Sequence, residues 1–355
     1  MIVRSLHDPD RDELAGLLDG EPRYRIDQLW QGLYRDFLPP EEITTLPAAL
    51  RARIAGELPE SLVEMRRSVS EDGATVKFLW NLVEGNHPIE TVLMHYDERS
   101  TVCVSTQAGC AMGCGFCATG QAGFARHLGV GEIVEQVVRS AREARRVDRR
   151  VDNIVFMGMG EPLANREPLW GAIERIHGDI GISARHITVS TVGIVPGITW
   201  LARQPLPVNL AVSLHAANDR LRDELVPINR RHDLASLLAA CRDYLTVRNR
   251  RITFEWALID GTNDSRRDAD ELADLCLGLA PAAHVNIIPL NPTPGWPTLG
   301  SPPARVAAFR SWLAARGVNA TVRRNRGTEI DAACGQLAAG QPVAPPPPRT
   351  RSRRD

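Results

Sequence analysis

Thr101-Val-Cys-Val-Ser-Thr-Gln-Ala-Gly-Cys110-Ala-Met-Gly-Cys-Gly-Phe-Cys117 decides how the rest of the 355-residue chain is read. Its β-branched opening, Thr101–Ser105, predicts a strand. The strand runs directly into a glycine-rich loop that carries Cys110, Cys114 and Cys117 in CxxxCxxC spacing. A strand that delivers a reactive loop is the habit of parallel α/β folds, whose sites gather at the carboxyl ends of their strands.

Working outward, strand and helix patterns alternate from about residue 97 to 325. Further strands are expected at Asn153–Met157, His186–Thr191, Val208–Leu214, Arg251–Ile259, His284–Pro289 and Val318–Val322. Helical periodicity lies between most of them, at Gly131–Val147, Glu167–His177, Asp233–Val247, Arg266–Leu279 and Pro303–Arg316. Repeated β-then-α spacing predicts parallel strands with crossover helices, and six such units make an α/β barrel or part of one. Polar motifs follow or close the strands at Gly158–Glu161, Ser190–Thr191, Ser213–His215 and Asn291, so one barrel mouth should gather them.

The first 95 residues read differently. Helical patterns at Arg11–Leu18 and Tyr24–Tyr34 precede strand patterns at Leu62–Val69, Thr75–Val83 and Pro88–His95. This predicts a small α+β accessory domain over 1–95, then a core over 96–337. Residues 338–355, rich in proline and then arginine, are expected to be disordered because they cannot build a core.

Composition narrows the classes further. The chain carries 42 Lys+Arg against 43 Asp+Glu, a formal net charge of −1. This argues against a general electrostatic binder of nucleic acid and leaves room for a local basic surface. Lys77 is the only lysine, a bias that a GC-rich genome explains. No apolar run approaches the roughly 18 residues of a membrane span. Met1–Asp10 lacks the long apolar stretch of a signal peptide. The expectation is a cytoplasmic monomer with no membrane association.

Of seven cysteines, four fall between Cys103 and Cys117. In a reducing compartment such clustering points to metal or catalysis. Three thiolates on one tight loop can hold three irons of a [4Fe–4S] cluster and leave the fourth open to a substrate. A structural zinc site is the alternative, and it would want a second ligand pair that is not apparent in the sequence. Cys241 and Cys276 sit in helical patterns and read as packing residues. Cys334, with small neighbours in a loop-like segment after the last strand, suits a nucleophile.

The CxxxCxxC loop and Gly158-Met-Gly-Glu-Pro162 resemble the radical SAM superfamily, whose fold is a partial (βα)6 barrel. The wider set resembles the RlmN/Cfr family of radical SAM RNA methyltransferases. Its matching stretches are Cys103-Val-Ser-Thr-Gln-Ala-Gly-Cys110, Phe156-Met-Gly-Met-Gly-Glu-Pro162, Thr188-Val-Ser-Thr-Val-Gly193, Ser213-Leu-His-Ala216, Val226-Pro-Ile-Asn229, Pro289-Leu-Asn-Pro292 and Ala333-Cys-Gly-Gln-Leu337. The resemblance implies one [4Fe–4S] cluster on Cys110, Cys114 and Cys117. It implies S-adenosylmethionine (SAM) bound by Gly160, Glu161, Ser190, Ser213, Leu214, His215 and Asn291. Ser213 and His215 are expected to share a side of one strand.

The implied reaction is ping-pong methylation of adenine C2 in 23S rRNA and in tRNA, using two SAM per turnover. One SAM methylates Cys334; the second generates the radical that activates that methyl group for addition to C2. Glu90 is implied as proton acceptor. Cys103 then releases the product and forms a disulfide with Cys334. Partners would be the two RNAs, an external electron donor and a disulfide reductant. Candidate phosphate contacts are Arg23, Arg25, Arg126, Arg323, Arg324 and Arg326. The rival readings are a C8 methyltransferase of the same family, a radical SAM enzyme acting on another substrate, and a zinc-binding RNA module.

Overall fold

The computed structural model describes residues 5–248, 250–279, 281, 283–293, 295–323 and 326–338. Apart from Ala338, the predicted Pro/Arg tail lies outside the described residues. The strands are β1 (Leu62–Val69), β2 (Thr75–Leu82), β3 (Pro88–His95), β4 (Ser100–Cys103), β5 (Gln107–Gly109), β6 (Phe124–His127), β7 (Val151–Phe156), β8 (Ile187–Thr191), β9 (Asn209–Ser213), β10 (Ile252–Leu258), β11 (Ala283–Pro289) and β12 (Ala320–Val322). The helices are α1 (Arg11–Leu17), α2 (Tyr24–Tyr34), α3 (Ala48–Glu57), α4 (Ala118–Ala122), α5 (Val130–Arg146), α6 (Arg166–Arg175), α7 (Val195–Ala202), α8 (Asp219–Leu225), α9 (Leu234–Arg248), α10 (Arg266–Leu277) and α11 (Pro303–Ala315).

Among the described residues, ten strands form one sheet in the order β1-β2-β3-β4-β7-β8-β9-β10-β11-β12. From β4 to β12 every pairing is parallel. Helices lie between successive strands of this sheet from β4 to β12, which makes the partial (βα)6 barrel expected from the alternation. The sheet stays open, with β1 and β12 at its ends.

Helix α5 shows why the local sequence folds as it does. Ile133, Val134, Val137, Val138 and Ala141 recur at helical spacing and are all buried. Glu132 Oε2 accepts from the Gly129 N–H at 2.9 Å, closing the amino end. Arg145 and Arg146 occupy the last turn, where positive charge complements the helix dipole. In α10, Ser265 and Asp268 form a capping box. Cys241 and Cys276 lie buried on α9 and α10, as packing residues do, and burial pushes both thiols up to about 12.

The amino-terminal region joins the core more closely than its sequence suggests. β1, β2 and β3 form an antiparallel meander, and β3 pairs antiparallel with β4. The expected boundary at residue 95 therefore falls between two hydrogen-bonded strands of the same sheet. One hydrophobic cluster holds Leu29, Leu33 and Trp80 together with Phe254, Trp256 and Phe309. α2 is pinned to the barrel by Trp30 Nε1, which donates to Asp179 Oδ1 at 3.2 Å, and by Arg175, which donates to Tyr34 Oη at 2.9 Å. Among the described residues, no helix is long and apolar enough to cross a membrane.

Candidate active site

The cysteine loop hangs from a two-stranded hairpin, β5 against β6, just past the end of β4. The Cys110 N–H donates to the Gly123 carbonyl at 2.7 Å and anchors the loop's first arm. Gly109 has φ +77°, and a Cβ there would lie 2.0 Å from that same carbonyl oxygen. Only glycine tolerates both conditions. Cys117 leads into α4, whose Ala118 N–H donates to the Gly335 carbonyl at 2.8 Å. The cysteine loop is thereby tied to the carboxyl-terminal segment that carries Cys334.

The loop roofs a cavity of about 980 Å³, counted out to its mouth. Cys110, Cys114 and Cys117 line it on one side. Facing them are residues from the carboxyl ends of successive parallel strands, among them Gly160, Glu161, Ser190, Ser213, His215 and Glu255. The mouth expected from the alternation gathers each of those strand-end motifs except Asn291. Burial is the main cause pushing the three thiols up, Cys110 to about 12 and Cys114 well above the ordinary value, and the neighbouring thiols add to it. Cationic metal placed among them reverses that balance and takes up thiolates. Three thiols on one loop are a donor set that an iron–sulfur cluster takes.

Burial likewise pushes the Glu161 carboxyl up to about 7. Its two oxygens accept from the Leu163 and Val192 N–H groups at 3.0 and 2.9 Å. Gln107 sets the preceding turn: its Oε1 accepts from the Glu161 N–H at 2.8 Å. A Cβ on Gly160, at φ +103°, would meet the Gln107 side chain at 2.5 Å.

His215 corrects one detail. It does not share a strand face with Ser213, because β9 ends at Ser213 and His215 has φ +59° in the turn beyond. Its Nδ1 accepts from the Ala257 N–H at 2.9 Å, so the proton of the neutral ring sits on Nε2. Burial, then Arg222, lowers its pKa to about 3, which keeps the ring neutral.

Two expected SAM contacts lie outside the cavity lining. The Leu214 side chain is fully buried, and its N–H donates to the Glu255 carbonyl at 3.0 Å. Asn291 is buried, and its Nδ2 donates to the Cys334 carbonyl at 3.0 Å. Asn291 thus holds the Cys334 segment, a contact between distant parts of the chain that spacing does not reveal.

Cys334 lines both this cavity and a second, of about 470 Å³, which Cys103 also lines. Burial pushes the Cys103 thiol up to about 12; Cys334 adds to the rise and Arg323 opposes it. Arg323 lines both cavities, and its guanidinium is raised above its ordinary value chiefly by Cys334. The sequence offers Arg323 only as one of several phosphate contacts; its place after β12 is the signal that points to the site. Arg324 lies outside the described residues. Arg126 is engaged by both carboxylate oxygens of Glu132.

Glu90 lines neither cavity. It is buried on β3, where its Oε1 lies 3.0 Å from Lys77 Nζ and its Oε2 accepts from the Ala338 N–H at 3.0 Å. Register still relates it to the site. Val92 pairs with Cys103 across β3 and β4, so Glu90, two residues before Val92, is on the sheet face of Cys103.

An open (βα)6 barrel, with a three-cysteine loop roofing a cavity at the strand ends, defines a radical SAM enzyme. The family model described as "Radical SAM superfamily" matches residues 104–275. A protein of Chloroflexus aurantiacus named "Probable dual-specificity RNA methyltransferase RlmN" is 48% identical over 97% of this chain and 95% of its own length. One of the same name from Parafrankia sp. is 50% identical over 96% and 93%. The crystal structure of a radical SAM methyltransferase from Sphaerobacter thermophilus superposes with a TM-score of 0.91 at 50% identity, covering 95% of this chain and 99% of that one. The chain belongs to the RlmN family of radical SAM RNA methyltransferases, which sets aside the zinc-module reading.

Proposed function

We propose that this methyltransferase acts at C2 of adenine 2503 in 23S rRNA and of adenine 37 in tRNA, through a methyl group carried on Cys334. The observation that carries the reading is the position of Cys334, which lines both the cavity of the three loop cysteines and the cavity of Cys103. A residue that is loaded on one side and unloaded on the other needs access to both. The relatives' name, with its dual specificity, supports two RNA substrates.

In this reading Cys110, Cys114 and Cys117 hold the [4Fe–4S] cluster. Gly160, Glu161, Ser190, Ser213 and His215 hold SAM, while Leu214 and Asn291 shape the cavity from behind its lining. Cluster and SAM supply the methyl group and the radical chemistry that an aromatic C–H carbon requires.

The protein's own residues do the rest. Arg323 lines both cavities beside Cys334, the residue that accepts the methyl group. Glu90 is the proton acceptor, on the same sheet face as Cys103. Cys103 attacks the Cys334 adduct and frees the base. The two sulfurs leave as a disulfide, which an external thiol reductant resets, while an external electron donor serves the cluster. The target base must be unpaired or flipped to reach a mouth at the strand ends. Nucleoside mass spectrometry of rRNA and tRNA treated with the reconstituted enzyme tests the assignment. A methyl group on C2 is expected; a methyl group on C8 contradicts it.

A further inference from the structure

The only lysine of the chain is buried in the sheet. Lys77 has a 4% exposed side chain, and 41 other basic residues of the chain are arginines. Its Nζ lies 3.0 Å from Glu90 Oε1 and donates to the Asp331 carbonyl at 3.2 Å. An arginine there would bring five N–H donors in a rigid fork to a site that presents these two acceptors, and an unmatched buried donor is costly. The ammonium is compact and fits.

The pairing places this lysine in the geometry of the reaction. Lys77 pairs with Val92, and Val92 pairs with Cys103. The three form one row across β2, β3 and β4, with their side chains on one face. Strand spacing puts Lys77 about 10 Å from Cys103 along that row.

The Cys334 segment lies over the same face. Ala332, Ala333, Cys334 and Leu337 wall the second cavity opposite Met94 and Cys103. The segment is held at both ends by the one ion pair. Lys77 grips Asp331, three residues before Cys334, and Glu90 grips Ala338, four residues after it. Asp331 itself has φ +54°, so its carbonyl is presented from a turn.

We propose that Lys77 is a positioning residue of the methyl transfer: its ion pair with Glu90 clamps both ends of the Cys334 segment and sets that sulfur against Cys103. The proposal rests on the reading of Cys334 and Cys103 as the covalent pair. It gives β2 a positioning part in the reaction.

The test uses the reconstituted full-length holoenzyme, in which the cluster occupies the loop thiols. Diamide, a two-electron thiol oxidant, is added, and the Cys103–Cys334 disulfide is followed by peptide mass mapping. Lys77→Met should form it at least about tenfold more slowly than wild type, as small displacements of reacting groups do. Lys77→Arg, which keeps the charge, should fall between the two. Lys77→Met should also release more 5′-deoxyadenosine per methyl group transferred to RNA, with unchanged iron content and visible absorbance. Should the Met variant not fold, Lys77→Gln keeps a donor for Asp331, loses the charge, and should show the same slowing.

Disulfide formation at the wild-type rate in a folded Met or Gln variant overturns the role of Lys77 alone. A wild-type enzyme that never forms the disulfide overturns the reading of the cysteine pair itself.

Discussion

Glu161 shows how one side chain is held off its ordinary chemistry. Burial pushes its carboxyl up to about 7, against the pull of two backbone N–H groups. A carboxyl raised on folding binds more protons folded than unfolded between about 4.5 and 7. Stability contributed by this group therefore falls as pH rises through that window, and the loss is complete above it. A shift of this size corresponds to at most about 3 kcal/mol. Glu161→Gln has no such dependence. It carries instead a constant penalty, because its amide NH2 faces one of the two N–H donors. Urea unfolding of the cluster-free protein should show the stability of Glu161→Gln relative to wild type improving between pH 5 and pH 8, by up to that amount. A difference that stays constant across this range contradicts the placement of Glu161 as a buried, desolvated acid.

At the scale of elements, the cysteine loop depends on its approach to the hairpin more than on its cysteines alone. Gly109→Ala adds a Cβ 2.0 Å from the Gly123 carbonyl oxygen in a left-handed backbone, a strain of about 1–3 kcal/mol before the clash is counted. The variant should bind less than half the wild-type iron after anaerobic reconstitution. Gly16→Ala in α1, where a Cβ meets nothing within 4 Å, should bind the full amount. Equal iron in both would show that the loop does not need this turn.

The same scale marks what the sequence discloses. The parallel strands and α5 were legible because their signals are local: β-branched runs, and apolar residues at helical spacing. Helix α7 was not, because Pro196 and Gly197 interrupt its pattern; Gly197 serves packing, since a Cβ there would meet Leu163 at 2.7 Å. The site residues on strand ends followed from the alternation and the family likeness. The contacts of Lys77 and Asn291 are with residues far along the chain, and no spacing encodes those.

For the whole molecule, the net charge of −1 no longer bears on whether RNA is bound, only on how. For the proposed rRNA and tRNA substrates, affinity is expected to be local and shape-selective, with access to an unpaired base doing much of the discrimination. The amino-terminal strands are continuous with the barrel sheet and carry Lys77 and Glu90, which hold the two ends of the Cys334 segment. The central claim is that a methyl group passes through Cys334 and that Cys103 releases it. Incubating Cys103→Ala holoenzyme with substrate RNA, SAM and reductant, then measuring intact mass and mapping the peptide, tests this most directly. The account predicts RNA covalently attached through a methylene bridge to Cys334, accumulating to near one per active site. Methylated RNA released at the wild-type rate with no adduct would contradict it.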